Sequence, residues 1–303
     1  MRVGVIGGPS NETNPQLVEA WRAAGIDAWL LSPPQASGLL NAGDVALVRL
    51  DVRHTLDGVE PGLEVVAALA ADGVRVLNRP EALIGTHDKL ETERRLREAG
   101  IPHPRTAHVA SPREPIELSF PVVVKPRFGS WGRDVFLCED GSELLRCLES
   151  VRLRPWFLAH GALVQELVTR GRSDLRLIVA GGRVVGAAER RAAAGEWRTN
   201  VSLGGSLVSV SVDPSAVTLA EAAVAALGID LAGVDLLPAA AGGHVVLELN
   251  GAVDFDERYS LRGGDAYLDA AAALGLATGA QAEMSATSAP EWASRSLVRS
   301  LTD

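Results

Sequence analysis

The stretch FPVVVKPRFGSWGRDV, residues 120–135, joins a run of apolar residues to a glycine-rich segment. The apolar run predicts a buried strand that ends at Lys125, and the GSWG sequence, residues 129–132, predicts a tight loop after it. Because glycine has no Cβ, such a loop can bring its backbone N–H groups close to phosphate oxygens. The P-loop of nucleotide-binding proteins carries its lysine after the last glycine, whereas the lysine here comes first. The stretch therefore predicts a different kind of phosphate-binding loop, with an ordinary glycine-containing hairpin as the alternative.

Lysine is rare in this chain. Of the 29 lysine and arginine residues, only Lys89 and Lys125 are lysines. A coding bias toward arginine and alanine is the simpler explanation, and a requirement for a compact charge at these two positions is the other. Lysine presents such a charge with three rotatable donors, whereas arginine presents a planar fork. A buried ammonium group needs an anionic partner or a route to solvent, so Lys125 is a candidate anion ligand.

The composition argues against several classes of protein. The chain has 303 residues, enough for about two domains or three small ones, and 47% of them are hydrophobic. Its net charge of −9 argues against a general nucleic-acid-binding protein, which presents a basic face. No apolar run reaches the roughly 20 residues that span a bilayer, and the N-terminus lacks the pattern of a signal peptide. Cys138 and Cys147 suggest neither a disulfide framework nor a zinc motif, and we expect a cytoplasmic protein that binds neither nucleic acid nor membrane.

Alternating strands and helices predict the organisation of the chain. Residues 1–80 predict an open α/β domain, without the GxGxxG pattern of dinucleotide-binding proteins. Residues 81–167 predict a central α+β lobe, in which the glycine-rich segment is a hairpin lid. Residues 168–280 predict a second lobe, with a hairpin at LRLIVAGGRVVGAAE and a helix at PSAVTLAEAAVAALG. We expect the small and polar residues 281–303 to form a flexible tail.

One predicted helix carries the first of the two lysines. The segment THDKLETERRLREAG, residues 86–100, has Thr86 as its predicted N-cap and Gly100 as its predicted stop. Lys89 then lies in the first turn of the helix. The helix precedes the proline-rich link IPHPRTAHVA, which leads into the strands around the glycine-rich loop.

The strand HVVLELN, residues 244–250, carries candidate metal ligands. Alternation along a strand predicts that Val246, Glu248 and Asn250 share one face. Asp235 lies nearby in sequence, within GVDLL. Two carboxylates and an amide oxygen, without histidine or thiolate, suit a hard cation such as Mg²⁺. A surface acid on an edge strand, followed by a turn-forming asparagine, is the alternative interpretation.

Taken in order, these motifs resemble those of the ATP-grasp carboxylate–amine ligases of the RimK-type branch. The order is DK on a helix, VVVKP before a glycine-rich loop, then QELV, DLR, a basic pair, RTN, GVDLL and LELN. FGSWGRDV together with EWRTNVSLGG is most similar to the amino-group-carrier-protein ligases of lysine and arginine biosynthesis. The branch also contains the ribosomal-protein glutamate ligases. The resemblance extends over about residues 80–275 and implies an α/β protein with α+β lobes, an ATP-grasp fold behind an N-terminal pre-ATP-grasp open α/β domain.

The resemblance also implies roles for individual residues. The two lysines and the glycine-rich loop would contact the phosphates of ATP, the QEL segment would hold the adenine, and Asp174 would lie near the ribose. Arg176 would lie near the phosphates, while Arg190 and Asn200 would face the transferred phosphoryl group and the substrate carboxylate. The implied nucleotide-binding residues are Lys89, Lys125, Gly129, Ser130, Trp131, Gly132, Gln165, Glu166, Leu167 and Asp174. The implied catalytic residues are Arg176, Arg190 and Asn200, and the implied metal ligands are Asp235, Glu248 and Asn250.

The activity implied by the resemblance is an ATP-dependent ligase that needs no protein nucleophile. A small carboxylate, such as an amino acid, would attack the γ-phosphate of ATP to give an acyl phosphate, and an amine would then displace phosphate. The cofactor would be Mg²⁺, with Mn²⁺ as the alternative. The amine acceptor would be a small molecule or a carrier protein, and the resemblance implies a homo-oligomer, either a dimer or a tetramer. An intramolecular ring-closing amide synthetase and a non-catalytic ATP-binding module are the alternative functions.

One segment departs from the family pattern. After LELNGAVDF comes DERYSL, which is more acidic and aromatic than the segment usual in the ribosomal-protein ligases. We expect this segment to shape substrate choice, with a solvated charged loop as the alternative. The residues concerned are Asp254, Asp256, Glu257, Arg258 and Tyr259.

Overall fold

The computed structural model of the chain describes residues 1–8, 10–169 and 171–276. The tail predicted over residues 281–303 lies outside the described residues. The described residues form three sheets with helices packed on them, a mixture that agrees with the predicted α/β class. Within these ranges, no helix is both long enough and apolar enough to span a bilayer.

The first sheet is built from the N-terminal part of the chain. Its four strands are all parallel, and the two central ones, Val3–Ile6 and Val45–Val48, are wholly buried apolar runs because helices cover such a sheet. Its elements, in chain order, are β1 (Val3–Ile6), α1 (Thr13–Ala23), β2 (Ala28–Leu31), α2 (Pro33–Leu39), β3 (Val45–Val48), α3 (Leu63–Ala71) and β4 (Arg75–Leu77). The strand order is β2-β1-β3-β4.

The second sheet contains the glycine-rich loop. Its elements, preceded by two helices, are α4 (Pro80–His87), α5 (Lys89–Glu98), β5 (Thr106–Val109), β6 (Val122–Pro126), β7 (Phe136–Cys138), α6 (Gly141–Val151), α7 (Pro155–His160) and β8 (Ala162–Glu166). The strands are antiparallel in the order β5-β8-β6-β7. The glycine-rich loop joins the neighbouring strands β6 and β7, so the predicted hairpin is confirmed.

The predicted start of the lysine-bearing helix is wrong. Thr86 belongs to the preceding helix α4, where its hydroxyl donates to the carbonyl of Leu83 at 2.8 Å. The N-cap of α5 is Asp88, whose carboxylate accepts hydrogen bonds from the backbone N–H groups of Leu90 and Glu91. Asp88 satisfies two orphan donors of the first turn, which explains why the helix begins there. Lys89 remains in the first turn, as predicted.

The third sheet is antiparallel and is built from the C-terminal part of the described chain. Its elements are β9 (Ser173–Ala180), β10 (Arg183–Arg191), β11 (Ser206–Ser209), α8 (Pro214–Leu227), β12 (Leu231–Pro238), β13 (His244–Asn250) and α9 (Ala266–Ala273), in the strand order β11-β10-β9-β12-β13. The predicted β9–β10 hairpin is confirmed. The predicted helix α8 is also confirmed, and it ends at Gly228 in the left-handed conformation that glycine favours.

The strict alternation predicted for β13 does not hold along the whole strand. A β-bulge interrupts its pairing with β12 between Asp235 and Leu236. As a result Val246 and Leu249, three residues apart, are both buried in the core. Beyond the bulge the alternation is restored, and Glu248 lies directly opposite Asp235 on the neighbouring strand.

Asn78 joins the first and third sheets. It adopts a left-handed backbone conformation with φ of 58° at the end of β4. Its Nδ2 lies 3.0–3.1 Å from the carbonyl oxygens of Val48, Leu231 and Gly251, while its Oδ1 accepts from the backbone N–H groups of Asp230 and Leu231. The two sheets also share a continuous apolar core. One fully buried side chain thus bridges both sheets.

Candidate active site

A cleft between the second and third sheets contains most of the predicted site residues. This first cleft encloses about 950 Å³, counting the space at its open mouth, which lies in the size range of ligand pockets. All of the predicted site residues line it except Arg176 and Asn250. Those two line a second cleft of about 1270 Å³ that adjoins the first. The fold therefore brings the sequence-predicted residues together.

Lys125 lies on the floor of the first cleft, with 5% of its surface exposed. Its Nζ donates a hydrogen bond of 2.8 Å to Oε1 of Gln165, whose Nε2 in turn donates to Thr106 Oγ1. Burial lowers the pKa of Lys125 to about 8; the charge of Glu248 opposes this, and the charge of Lys89 adds to it. In the described part of the chain, Gln165 is the only side chain hydrogen-bonded to this ammonium group. An anionic ligand would complete its environment.

Lys89 connects the glycine-rich loop to the third sheet. Its Nζ donates to the carbonyl oxygen of Gly129 at 2.6 Å and lies 3.3 Å from Oε2 of Glu248. The lysine side chain is 12% exposed, so its charge is partly withdrawn from solvent. The two lysines of the chain therefore converge on one carboxylate beside the same loop.

The glycine-rich loop is held over the first cleft by one residue of the third-sheet region and one of the N-terminal part of the chain. Arg198 Nη1 donates to the carbonyl oxygen of Gly132 at 2.8 Å, and Trp131 stacks on His54 with ring centroids 5.9 Å apart. Gly132 has φ of 66°, and a Cβ on it would lie 2.6 Å from Oδ1 of Asn200. Glycine is therefore required at this position both for its conformation and for the close approach.

A buried cluster of two arginines and two aspartates separates the two clefts. Arg176 makes a bidentate pair with Asp235, with Nε–Oδ1 and Nη2–Oδ2 distances of 2.7 and 2.8 Å. Arg190 bonds both oxygens of Asp174 and reaches Oδ2 of Asp235 at 2.6 Å. Burial pushes the pKa of Asp235 up, but the two guanidinium groups outweigh it and hold the pKa well below its usual range. Asp235 is therefore ionised at neutral pH.

Oxygen donors suitable for a hard cation lie at the edge of this cluster. Glu248 faces Asp235 across β12 and β13, and Asn250 follows two residues later. Asp235 Oδ1 accepts only from Arg176 among the described residues, so a lone pair on that oxygen remains for a further partner. Asn250 Oδ1 accepts from the backbone N–H of Ala252 and likewise retains acceptor capacity. This donor set fits Mg²⁺ in chemistry.

Sequence reasoning missed several residues of the first cleft. Arg198, which holds Gly132, and Thr199, which donates to Asp174 Oδ2 at 2.6 Å, both fall within the EWRTNVSLGG stretch that carries the family resemblance. Their position next to the predicted site residue Asn200 was the sequence signal that could have identified them. The apolar wall gave no signal, because apolar strand residues are typical of any core. Apart from Leu167, which the QEL segment already included, that wall consists of Val123, Val135, Leu237 and Leu247.

Comparison with known proteins assigns this architecture. Residues 86–268 match the family described as the RimK-like ATP-grasp domain, which is more than half of the chain. The chain belongs to the RimK-like ATP-grasp family. The crystal structure of a RimK domain ATP-grasp protein from Sphaerobacter thermophilus matches with a TM-score of 0.67 and 25% identity, over 89% of this chain and 98% of that one. The predicted family and the predicted ATP-grasp fold are thereby confirmed.

Named relatives of this RimK-like protein are ligases. A probable alpha-L-glutamate ligase of Parasynechococcus marenigrum is 35% identical over 195 residues, which cover 62% of this chain and 41% of the relative. The chain thus spans less than half of that relative's length. The glutamate–LysW ligase ArgX of Sulfurisphaera tokodaii is 31% identical over 193 residues, which cover 62% of this chain and 68% of the relative.

Proposed function

We propose that this RimK-like protein is an ATP-dependent ligase that forms an amide bond between a carboxylate and an amine, with release of ADP and phosphate. The observation that carries the proposal is Lys125: a nearly inaccessible lysine with a neutral partner, beside a glycine-rich loop and a metal-type carboxylate. A buried ammonium group of this kind is suited to a phosphate group.

The first cleft would hold the nucleotide. Lys125 and Lys89 would bind its phosphates, and the loop at 129–132 would cover them. The QEL segment at 165–167 lies beside the apolar wall and would hold the adenine, with Asp174 toward the ribose. Glu248 and Asn250, with the free lone pair of Asp235, would hold Mg²⁺, with Mn²⁺ as the alternative. When bound, the cation would neutralise charge on the phosphate oxygens.

The chemistry would take place where the two clefts meet. Arg190 and Asn200 line both clefts, which suits them to face the transferred phosphoryl group and the substrate carboxylate. Arg176 lines the second cleft on the other side of Asp235. Fixed cations beside the reacting oxygens stabilise the charge that develops during phosphoryl transfer. The chain would thus act by positioning and charge, without a covalent step on a side chain.

The names of the relatives suggest glutamate as one of the substrates, because both are named as glutamate ligases. The acceptor would be a small molecule or a carrier protein, of which the LysW named for the Sulfurisphaera relative is an example. We further propose that the protein works in the cytoplasm. We also propose that it forms a dimer or tetramer, which is what the family resemblance implies. Ring closure within one molecule and nucleotide binding without catalysis are the other functions to be tested.

A labelling experiment tests the proposal. The protein is given ATP, Mg²⁺ and a panel of acids labelled with ¹⁸O in the carboxylate: amino acids, dicarboxylic acids and peptides that end in glutamate. One acid should transfer its label to the released phosphate and, with hydroxylamine present, should yield a hydroxamate by mass spectrometry. Release of AMP with unlabelled phosphate would replace this mechanism with adenylation. Absence of any ATP turnover across the panel, with ATP still bound, would favour the non-catalytic alternative.

A further inference from the structure

The second cleft is walled by acidic residues from two parts of the chain. Glu12 comes from the N-terminal part, whereas Glu248, Asp254 and Asp256 come from the third sheet and the loop that follows it. The cleft shares Arg190, Asn200 and the glycine-rich loop with the first cleft, so it opens where the transferred phosphoryl group would lie.

Asp254 differs from the other acidic residues of this cleft. Glu248 has Lys89 at 3.3 Å, and Asp256 makes a bidentate pair with Arg258. Glu12 is exposed to solvent. Asp254 is partly buried, and among the described residues no cation lies within ion-pairing distance of it; it is hydrogen-bonded by Thr13, through the backbone and through the hydroxyl, which lies 3.4 Å from Oδ1.

The N-terminal part of the chain fixes the backbone on both sides of Asp254. Before it, Arg49 Nη2 donates to the carbonyl oxygen of Val253 at 2.6 Å. After it, the hydroxyl of Thr13 bonds both the N–H and the carbonyl oxygen of Phe255 at 2.8 Å. A surface loop that only carries charge does not need such fixation, which is typical of a positioned functional group.

We propose that Asp254 receives the attacking amine in the second cleft and takes up its proton as the amide bond forms. The inference rests on the proposed ligase function. The amine nitrogen forms the C–N bond to the acyl phosphate, the C–O bond to phosphate breaks with its electron pair leaving on phosphate, and the N–H proton passes to the Asp254 carboxylate. Amide and phosphate are the balanced products.

The surroundings of Asp254 suit a proton acceptor. Burial raises the pKa of Asp254, while the charges of Arg49 and Arg176 oppose the shift. Asp51 is a further acidic neighbour of Asp254. Its own pKa is raised to about 7, chiefly by burial and in part by the charge of Asp254. A carboxyl group with a raised pKa is a better base for an ammonium proton than an exposed one.

The test compares two amines in one variant. Asp254→Asn and the wild-type protein are each given ATP, Mg²⁺ and the acid that yields a hydroxamate in the labelling screen, with either hydroxylamine or L-glutamate as the amine. Hydroxylamine is largely unprotonated at neutral pH and does not need a base. The variant should form hydroxamate at the wild-type rate, whereas amide formation with glutamate should fall by about 10²- to 10⁴-fold. The remaining amide rate should rise with pH toward the pKa of the amine itself.

Glu189→Gln is the control, because Glu189 lies on the third sheet in a pair with Arg191 and lines neither cleft. It should keep the wild-type ratio of the two rates and the wild-type pH profile. A second variant, Asp254→Ala, should regain amide formation when formate is added. Three results would overturn the inference. They are an unchanged glutamate rate and pH profile in Asp254→Asn, an equal loss of amide and hydroxamate in that variant, and failure of formate to restore amide formation in Asp254→Ala. If the wild-type protein itself forms no hydroxamate with any acid, the ligase function fails first.

Discussion

The ammonium group of Lys89 lies 3.3 Å from the carboxylate of Glu248, which links the first turn of α5 to the edge strand of the third sheet. A candidate phosphate ligand and a candidate metal ligand therefore neutralise part of each other's charge. A divalent cation at Glu248 would release Lys89 toward an anion, so binding of metal and of nucleotide should be coupled through this pair.

Glu248→Gln and Asn250→Ala should weaken the response to metal more than they weaken nucleotide binding without metal. Removing an oxygen ligand is expected to raise the Mg²⁺ concentration for half-maximal phosphate release by about tenfold or more. Titration of Mg²⁺ at saturating ATP measures this shift. Glu189→Gln, on the same sheet but in an exposed pair with Arg191, is the control. Full activity of both site variants at low Mg²⁺ would show that the cation binds elsewhere.

Lys125→Ala should weaken ATP binding by roughly 10- to 100-fold, the usual contribution of a hydrogen bond to a charged group, while the fold is retained. Lys125→Arg should restore affinity only in part, because a planar guanidinium fork does not fit a site built around a single nitrogen. Calorimetry with a non-hydrolysable ATP analogue measures both. Equal affinity in wild type and Lys125→Ala would remove this lysine from the nucleotide site.

The buried ammonium group of Lys125 should also make the free energy of unfolding depend on pH. Burial lowers the pKa of Lys125 to about 8 from an ordinary 10.5, so the folded state is penalised while the lysine is protonated in both states. The free energy of unfolding is lowered by the full amount below pH 8. It rises again as the pH increases from about 8 toward 10.5, by roughly 3 kcal/mol in total. Urea unfolding across this pH range should show that the free energy of unfolding rises more in wild type than in Lys125→Met. Parallel curves for the two proteins would contradict it.

The glycine-rich loop should exchange its amide hydrogens more slowly with ATP analogue and Mg²⁺ than without them. Its glycines give it little intrinsic rigidity, and Arg198 is one of the few side chains that bind it. Hydrogen exchange read by mass spectrometry over residues 127–135 measures the change. Arg198→Ala should exchange faster without nucleotide. Identical protection with and without nucleotide would count against a lid.

Asp235→Asn should destabilise the protein by about 3–5 kcal/mol, because it leaves two buried guanidinium groups without their shared carboxylate. The pKa of Asp235 is lowered in the folded state, so its stabilisation is present above the unfolded pKa of about 3.9 and is lost as the pH falls below it. Chemical unfolding at pH 7 and at pH 3 should therefore show a smaller difference from wild type at the lower pH. An exposed pair such as Glu189–Arg191 should contribute under about 1 kcal/mol.

Much of the fold and of the candidate site could be read from local sequence signals. Glycine pairs marked the hairpins, Pro214 and Gly228 bounded α8, and the ordered motifs located both lysines. The start of α5 was misplaced because two helices meet at Asp88, and a tertiary boundary of this kind has no local pattern. The bulge in β13 was also missed, since it depends on pairing with β12. The pairing of Asp235 with two arginines joins strands that are far apart in sequence, which periodicity cannot reveal.

The bridge made by Asn78 determines which parts of the molecule can turn against each other. Since its amide and a shared core bind the first and third sheets together, these two should rotate as one rigid body. The second sheet is joined to them by two chain crossings, one between α5 and β5 and the other between β8 and β9, and its buried side chains belong to an apolar core that includes residues of the other two sheets. Opening of the first cleft would then be a swing of the second sheet against that core. A substrate that contacts only the first and third sheets would keep the same contacts throughout turnover. The nucleotide, by contrast, would enter and leave as the second sheet moves.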